Sequence, residues 1–270
     1  YAKRRSESVT AGNALSERSF VNSLSAQAET RSIEVPCWPQ ALTMEAFRAA
    51  WPFEGEAFWQ TVFEMHSDKM QIKNPRVAIV NLEKIFTATF ALTTEKGFQA
   101  MSLRDLSSEA QISMGGLYSY IGSKEDLASV IEGVLRACID KVVAGLNSAN
   151  LEPVDFLRTL IFSEIYMVEL LKPWYQFCFM EVKGLPREQQ QQTLELELRF
   201  EESLVEVFEK GTASGVFQCK TPKLLASQVT AQLEQWHLKQ WKFKLRGVSN
   251  DDYAQFIFDN LMRCLHCASA

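Results

Sequence analysis

Between Ser102 and Lys124 the chain reads SLRDLSSEAQISMGGLYSYIGSK, a stretch dense in hydroxyl and ammonium donors. Tyr118, Ser119, Tyr120 and Lys124 are suited to phosphate oxygens, which Lys, Ser and Tyr side chains and backbone N–H groups bind. Gly115-Gly116 falls in what would be the first turn of a helix carrying them, at a cost of about 1 kcal/mol per glycine relative to alanine. A helix that must bring its backbone close to a phosphate or a base edge gains from having no side chains there. The chemistry implied is non-covalent reading of a nucleic acid rather than bond making.

Reactive constellations elsewhere are thin. His66, His237 and His266 have no spacing that would assemble a zinc site or a catalytic triad, and no phosphate-cradling glycine-rich loop occurs. GTASG (211–215) reads as a helix terminus. Cys264-Leu265-His266-Cys267 is a C-x-x-C at a helix end, where a structural role outweighs a metal or redox one. With no nucleophile–base pair in view, neither an enzyme nor a cofactor is expected.

The elements that would position the donors can be read from the serines. Ser102, Ser113 and Ser123 each precede a segment able to form a helix, and a serine side chain accepts hydrogen bonds from the free N–H groups of a first turn. Asp105 and Asp126 stand three residues after Ser102 and Ser123, a pattern close to a capping box. The stretch parses into helices near 103–109 and 114–120 and the start of a third. Leu103, Leu106, Ala110, Ile112, Leu117, Ile121 and Leu127 can form their shared core. This is the anatomy of a helix-turn-helix, whose second helix enters the DNA major groove.

Residues 95–127, EKGFQAMSLRDLSSEAQISMGGLYSYIGSKEDL, resemble the DNA-binding domain of the tetracycline-repressor-like (TetR) transcription regulators. The likeness rests on Gly97-Phe98 at the end of a first helix, Ser102 as cap of the second, Gly115-Gly116-Leu117-Tyr118 in the recognition helix, and Gly122 to Leu127 opening a fourth. Gln111 stands where a turn glycine is usual, which predicts left-handed backbone there. Ser119 and Ile121 replace a commoner histidine and phenylalanine, and Met114 stands where a basic or small residue is frequent, so the preferred DNA sequence is not legible. The resemblance implies DNA contacts from Arg76, Ser102, Arg104, Ser113, Met114, Gly115, Gly116, Tyr118, Ser119, Tyr120 and Lys124. Ser113, Met114 and Ser119 are the candidates for base edges.

The chain has 270 residues, 47% of them hydrophobic, and a net charge of -5, enough for a large core and one or two domains. The acidity is at odds with a DNA-binding protein until it is localised. The DNA segment is nearly neutral, and the excess lies in runs such as ELELRFEESLVEVFEK (195–210). No apolar run reaches 18 residues, so no membrane span is expected. Six scattered cysteines fit a reducing, cytoplasmic setting.

Four segments follow. Residues 1–34, rich in Ser, Ala, Glu and Arg, are too polar to form much core and read as a disordered arm with Lys3-Arg4-Arg5 as a solvated basic end. Residues 35–74 form an aromatic-rich helical extension outside the family likeness. There Phe58, Trp59, Val62 and Phe63 share a helical face that needs a partner, and Pro52 and Gly55 separate helices near 43–50 and 56–65. Residues 75–123 are the DNA-binding domain, with a first helix over 76–96. Residues 124–270 read as an all-helical ligand-binding and dimerisation domain. Its helices run from Ser123 to near Gly145, over 153–171, after Pro173, over 187–212, over 222–243 and after Ser249.

The middle helices are crowded with aromatics, which as a group point to an apolar pocket for a small molecule, an arrangement the resemblance also implies. The residues expected to line it are Phe156, Tyr166, Trp174, Tyr175, Phe177, Glu181, Phe200 and Gln235. The resemblance further implies a homodimer through the last two helices, with Trp236, Trp241, Phe256, Phe258 and Leu261 as apolar anchors. The expectation is an all-α, homodimeric repressor. Its near-palindromic double-stranded operator would be released when an apolar small-molecule effector shifts the helix after Ser123. A helical lipid- or acyl-binding protein without regulatory DNA binding is the alternative.

Overall fold

The computed structural model describes residues 38–266; the arm over 1–34 and Cys267 lie outside them. Among the described residues there are eleven α-helices, one 3-10 turn and no strand. Helix α1 (Met44–Ala50) begins at Thr43, whose hydroxyl accepts from the Ala46 N–H at 3.2 Å. It ends at Trp51, held out of the helical region by Pro52. Helix α2 (Gly55–His66) buries Phe58, Trp59, Val62 and Phe63 against α3 (Pro75–Lys96). Asn74 and Pro75 start α3, and Gly97, at φ 82°, ends it.

α3 is long and apolar enough to cross a membrane by composition alone. Leu82, Ile85, Phe86 and Leu92 are buried among its neighbours, whereas Val77 and Val80 on its outer face are exposed.

Helices α4 (Leu103–Glu109) and α5 (Met114–Tyr118) form the helix-turn-helix, and α6 (Lys124–Ser148) leads out of it. Gln111 between α4 and α5 has φ 55°, the left-handed turn that a glycine would adopt without strain. α6 runs three residues past Gly145. At Gly145 the Trp51 ring lies against the backbone so closely that a Cβ would collide with it, so the extension seats directly on α6.

The helical body comprises α7 (Pro153–Leu170), α8 (Lys172–Glu181), a 3-10 turn (Val182–Gly184), α9 (Arg187–Ala213), α10 (Pro222–Leu245) and α11 (Asn250–His266). α10 leaves helical geometry at Lys239 (φ -130°, ψ 28°). Glu169 on α7 holds both sides of that break, accepting from Trp236 Nε1 at 2.9 Å and from Gln240 Nε2. Helix α1 leans on α7, where Tyr166 Oη donates to Leu42 O at 2.9 Å and contacts Asp251 Oδ1 at 2.6 Å.

Candidate DNA-reading head and effector cavity

The reading head is fixed by its caps. Ser102 and Asp105 form a reciprocal capping box, the serine Oγ accepting from the Asp105 N–H at 3.2 Å and Asp105 Oδ2 accepting from the Ser102 N–H at 2.8 Å. The bond from the Ser102 N–H, a second that the Ser102 hydroxyl donates to Asp105 Oδ2 at 2.8 Å, and after them Lys96 at 3.0 Å hold the Asp105 carboxyl down at about 2. Ser113 caps α5 by accepting from the Gly116 N–H at 3.1 Å, and Ser123 caps α6 by accepting from the Asp126 N–H at 3.1 Å.

The two glycines of α5 do different jobs. A Cβ on Gly116 would stand 3.0 Å from Ile112 Cγ2 and 3.2 Å from Ser113 Oγ, so packing asks for glycine there. A Cβ on Gly115 would meet nothing within 4 Å. Gly115 therefore leaves an open, bare stretch of backbone at the head of α5.

Arg76, Ser102, Arg104, Ser113, Gly115 and Tyr118 are exposed, and Met114, Gly116, Ser119 and Lys124 are half-buried. Ser119 Oγ donates to Gly115 O at 3.1 Å. Lys124 Nζ lies 4.9 Å from the centre of the Phe98 ring and donates to Gln99 O at 2.9 Å, leaving two of its three N–H donors for a phosphate. Tyr120 departs from expectation. It is only 5% exposed, and its hydroxyl accepts from Asn81 Nδ2 at 2.8 Å, which ties the turn after α5 to α3. Its ring belongs to the core, and its hydroxyl is turned to Asn81 instead of the open face of α5.

A cavity of about 110 Å³ opens among α6, α7, α8, α9 and α10, lined by Leu135, Ile139, Glu164, Tyr175, Cys178, Phe179, Val182, Thr193, Leu194, Leu196, Glu197, Phe200, Thr230, Leu233, Glu234 and His237. Of the expected ligand residues, it contains Tyr175 and Phe200. The helical phase of α8 explains the rest. Tyr175, Cys178, Phe179 and then Val182 turn to the cavity, whereas Trp174, Phe177 and Glu181 turn to the DNA-binding domain. Trp174 lies 5.2 Å from Phe86 and 5.2 Å from Phe90 between ring centres. Phe177 meets Phe98 at 4.8 Å, and Glu181 Oε2 accepts from the Phe98 N–H at 3.2 Å.

Tyr166 is fully buried against α1. Gln235 accepts from Lys242 at 2.9 Å, and Phe156 lines a separate cleft beside Leu151 and Val207. Trp174, Phe177, Glu181, Tyr166, Gln235 and Phe156 therefore stand outside this cavity.

Glu164 and His237 were not among the expected residues. A carboxylate inside the apolar run LIFSEIYMV (160–168) was the available signal, since a charge is rarely fully buried without a partner. Glu164 Oε2 accepts from Tyr175 Oη at 3.2 Å, and Glu164 Oε1 lies 3.5 Å from His237 Nε2. The contact with His237 is not an ion pair. Burial pushes the Glu164 carboxyl up to about 7, against a smaller lowering by the Tyr175 hydrogen bond, and pushes His237 down to about 3. Neither ring nitrogen of His237 has a hydrogen-bond partner among the described residues.

Apart from Tyr118 on α5, the large exposed aromatics are on α10 and α11. Trp241 is 65% and Phe256 60% exposed, with Leu224, Leu238 and Leu245 also open, whereas Trp236, Phe258 and Leu261 are buried. Cys264 is a free thiol.

A capped helix-turn-helix with a bare-backboned second helix, carried on an all-helical body with an internal cavity, defines a DNA-binding transcription regulator. Residues 85–131 match the family of bacterial regulatory proteins, tetR family, so the helix-turn-helix segment is similar to the DNA-binding domains of that family. The chain is 22% identical over 197 residues to the HTH-type transcriptional regulator HbdR of Aromatoleum sp. (strain CIB), covering 73% of this chain and 84% of that one. The TetR family transcriptional regulator PfmR from Thermus thermophilus superposes with a TM-score of 0.57 at 26% identity, over 68% of this chain and 99% of PfmR. FadR from Bacillus subtilis, solved in complex with stearoyl-CoA, shares the fold with a TM-score of 0.54 at 13% identity, over 68% of this chain and 100% of FadR.

Proposed function

We propose that the protein is a homodimeric repressor whose two α5 helices read a near-palindromic operator, and that a small molecule in the cavity weakens that binding. The observation that carries the reading is the double face of α8. One side lines the cavity through Tyr175 and Phe179; the other grips the DNA-binding domain through Trp174, Phe177 and Glu181. A ligand that turns or displaces α8 moves the reading head with it. The sequence-based expectation placed this coupling in α6, which contributes Leu135 and Ile139 to the wall; α8 adds a second link, holding Phe98 through Phe177 and Glu181. The ligand must prefer the conformation that does not fit DNA, because equal affinity for both would shift nothing.

Dimerisation is assigned to the apolar face of α10 and α11. Trp241 and Phe256 are exposed there, and a second copy would cover them. That FadR is solved with an acyl-CoA supports a ligand in this fold without fixing its chemistry here.

The reading is tested on an operator recovered by selection. Tyr118→Phe and Lys124→Ala should weaken binding alike across operator variants, and Lys124→Ala should flatten the log–log salt dependence by about one unit. Ser113→Ala and Ser119→Ala should instead change which operator is preferred. Unchanged affinity and slope in the first pair, with the fold intact, would remove both side chains from the interface.

A further inference from the structure

We infer that the cavity takes a compact protonated amine with an apolar body, and not an anionic acyl thioester. This rests on the cavity being the effector site, and it names the class of effector. The lining holds three carboxylates, Glu164, Glu197 and Glu234, and neither Lys nor Arg among the described residues. A coenzyme A ester brings several phosphate charges that nothing in this wall would neutralise, and the carboxylates would repel them.

The interior is arranged around aromatic rings and an unpartnered base. The Tyr175 and Phe179 rings lie 5.0 Å and 5.1 Å from the His237 ring, and 6.3 Å from one another. Such ring faces attract an ammonium group through their quadrupoles. His237 is 8% exposed, and both its nitrogens lack a partner among the described residues. Its burial keeps it neutral, so one nitrogen remains a free acceptor for a ligand N–H. Glu164, 3.5 Å away, supplies the counter-charge by giving its proton to solvent when the cation enters. Toward the opening, burial and the neighbouring Glu197 raise the Glu234 carboxyl, a like-charge crowding that a cation would relieve.

Tyr175 from α8 and His237 from α10 contact Glu164; Cys178, Glu197 and Glu234 are the other titratable groups of the lining, and the Cys138 thiol of α6 lies near Tyr175. None carries a positive charge near neutral pH. Amine affinity should therefore rise as the pH passes through about 7, where Glu164 becomes ionised.

Titration calorimetry with 2-phenylethylamine, 2-phenylethanol and stearoyl-coenzyme A tests the inference. The amine should bind about tenfold or more tighter than the alcohol, a difference that grows with pH. Glu164→Gln and, at the exposed opening, Glu197→Gln should each lower amine affinity several-fold while leaving the alcohol's affinity nearly unchanged. Equal affinities for amine and alcohol, no amine binding at millimolar concentration, or binding of the thioester alone would overturn it. Operator affinity measured alongside separates the two ideas. Amine binding without operator release upholds the ligand class and rejects the effector role; release by the thioester alone does the reverse.

Discussion

Trp174→Ala is expected to destabilise the protein by about 3–5 kcal/mol, the range for truncating a buried Phe or Trp in a core that cannot collapse. The ring is 4% exposed. It lies within 5.2 Å of both Phe86 and Phe90 on α3, 5.4 Å from Phe58 and 5.9 Å from Trp59 on α2. It joins the extension, the first helix of the DNA-binding domain and α8 in one cluster. No single neighbour can move into the space without breaking another pair. Against a typical net stability of about 5–15 kcal/mol, such a loss is large. A denaturant titration should show the midpoint fall with little change in slope. A loss below about 1 kcal/mol would mean that these rings do not hold the domains together. Tyr175→Phe, on the opposite face of α8, removes the hydroxyl that donates to Glu164 and should act chiefly on ligand response.

Deleting residues 1–70 should have the second large effect. The deletion removes Phe47, Phe53, Phe58, Trp59, Val62 and Phe63, all buried, each worth about 1.5–3 kcal/mol of burial. Much of that is offset because the deleted backbone no longer has to be ordered. What is not offset is the apolar surface uncovered on the remaining protein: Phe86 and Trp174 lose the rings of α2, Tyr166 loses Phe47, and Gly145 loses the Trp51 ring. A fall in Tm of at least about 10 °C is expected, or association through the bared patch. An unchanged Tm and a monodisperse truncated protein would contradict this.

These two cases also mark what the chain reveals before it folds. The reading head is written in local chemistry. The Ser102–Asp105 box, the Ser113 and Ser123 caps and the Gln111 turn each act within a few residues, so their meaning survives without tertiary context. The effector cavity is not local. Trp174 and Tyr175 are adjacent, equally aromatic and equally buried, yet they face opposite sides of α8. Only the packing of α3 on one side and α10 on the other decides which of them lines the cavity. His237 is similarly silent, one residue after Trp236 in a helix whose pattern is broken at Lys239. Tyr120 is the converse case: its hydroxyl suits phosphate, but the turn after α5 points it at Asn81.

The central claim is that paired α5 helices read DNA by sequence, and selection from a random duplex pool tests it most directly. The purified protein and a Tyr118→Ala, Ser113→Ala double variant would be carried through parallel rounds and the bound DNA sequenced. The account predicts that the unaltered protein enriches an inverted repeat, with half-sites about one helical turn or a multiple of it apart, and that the variant loses or changes it. Enrichment of no motif, of an unsymmetrical one, or of the same repeat by both proteins would contradict the account.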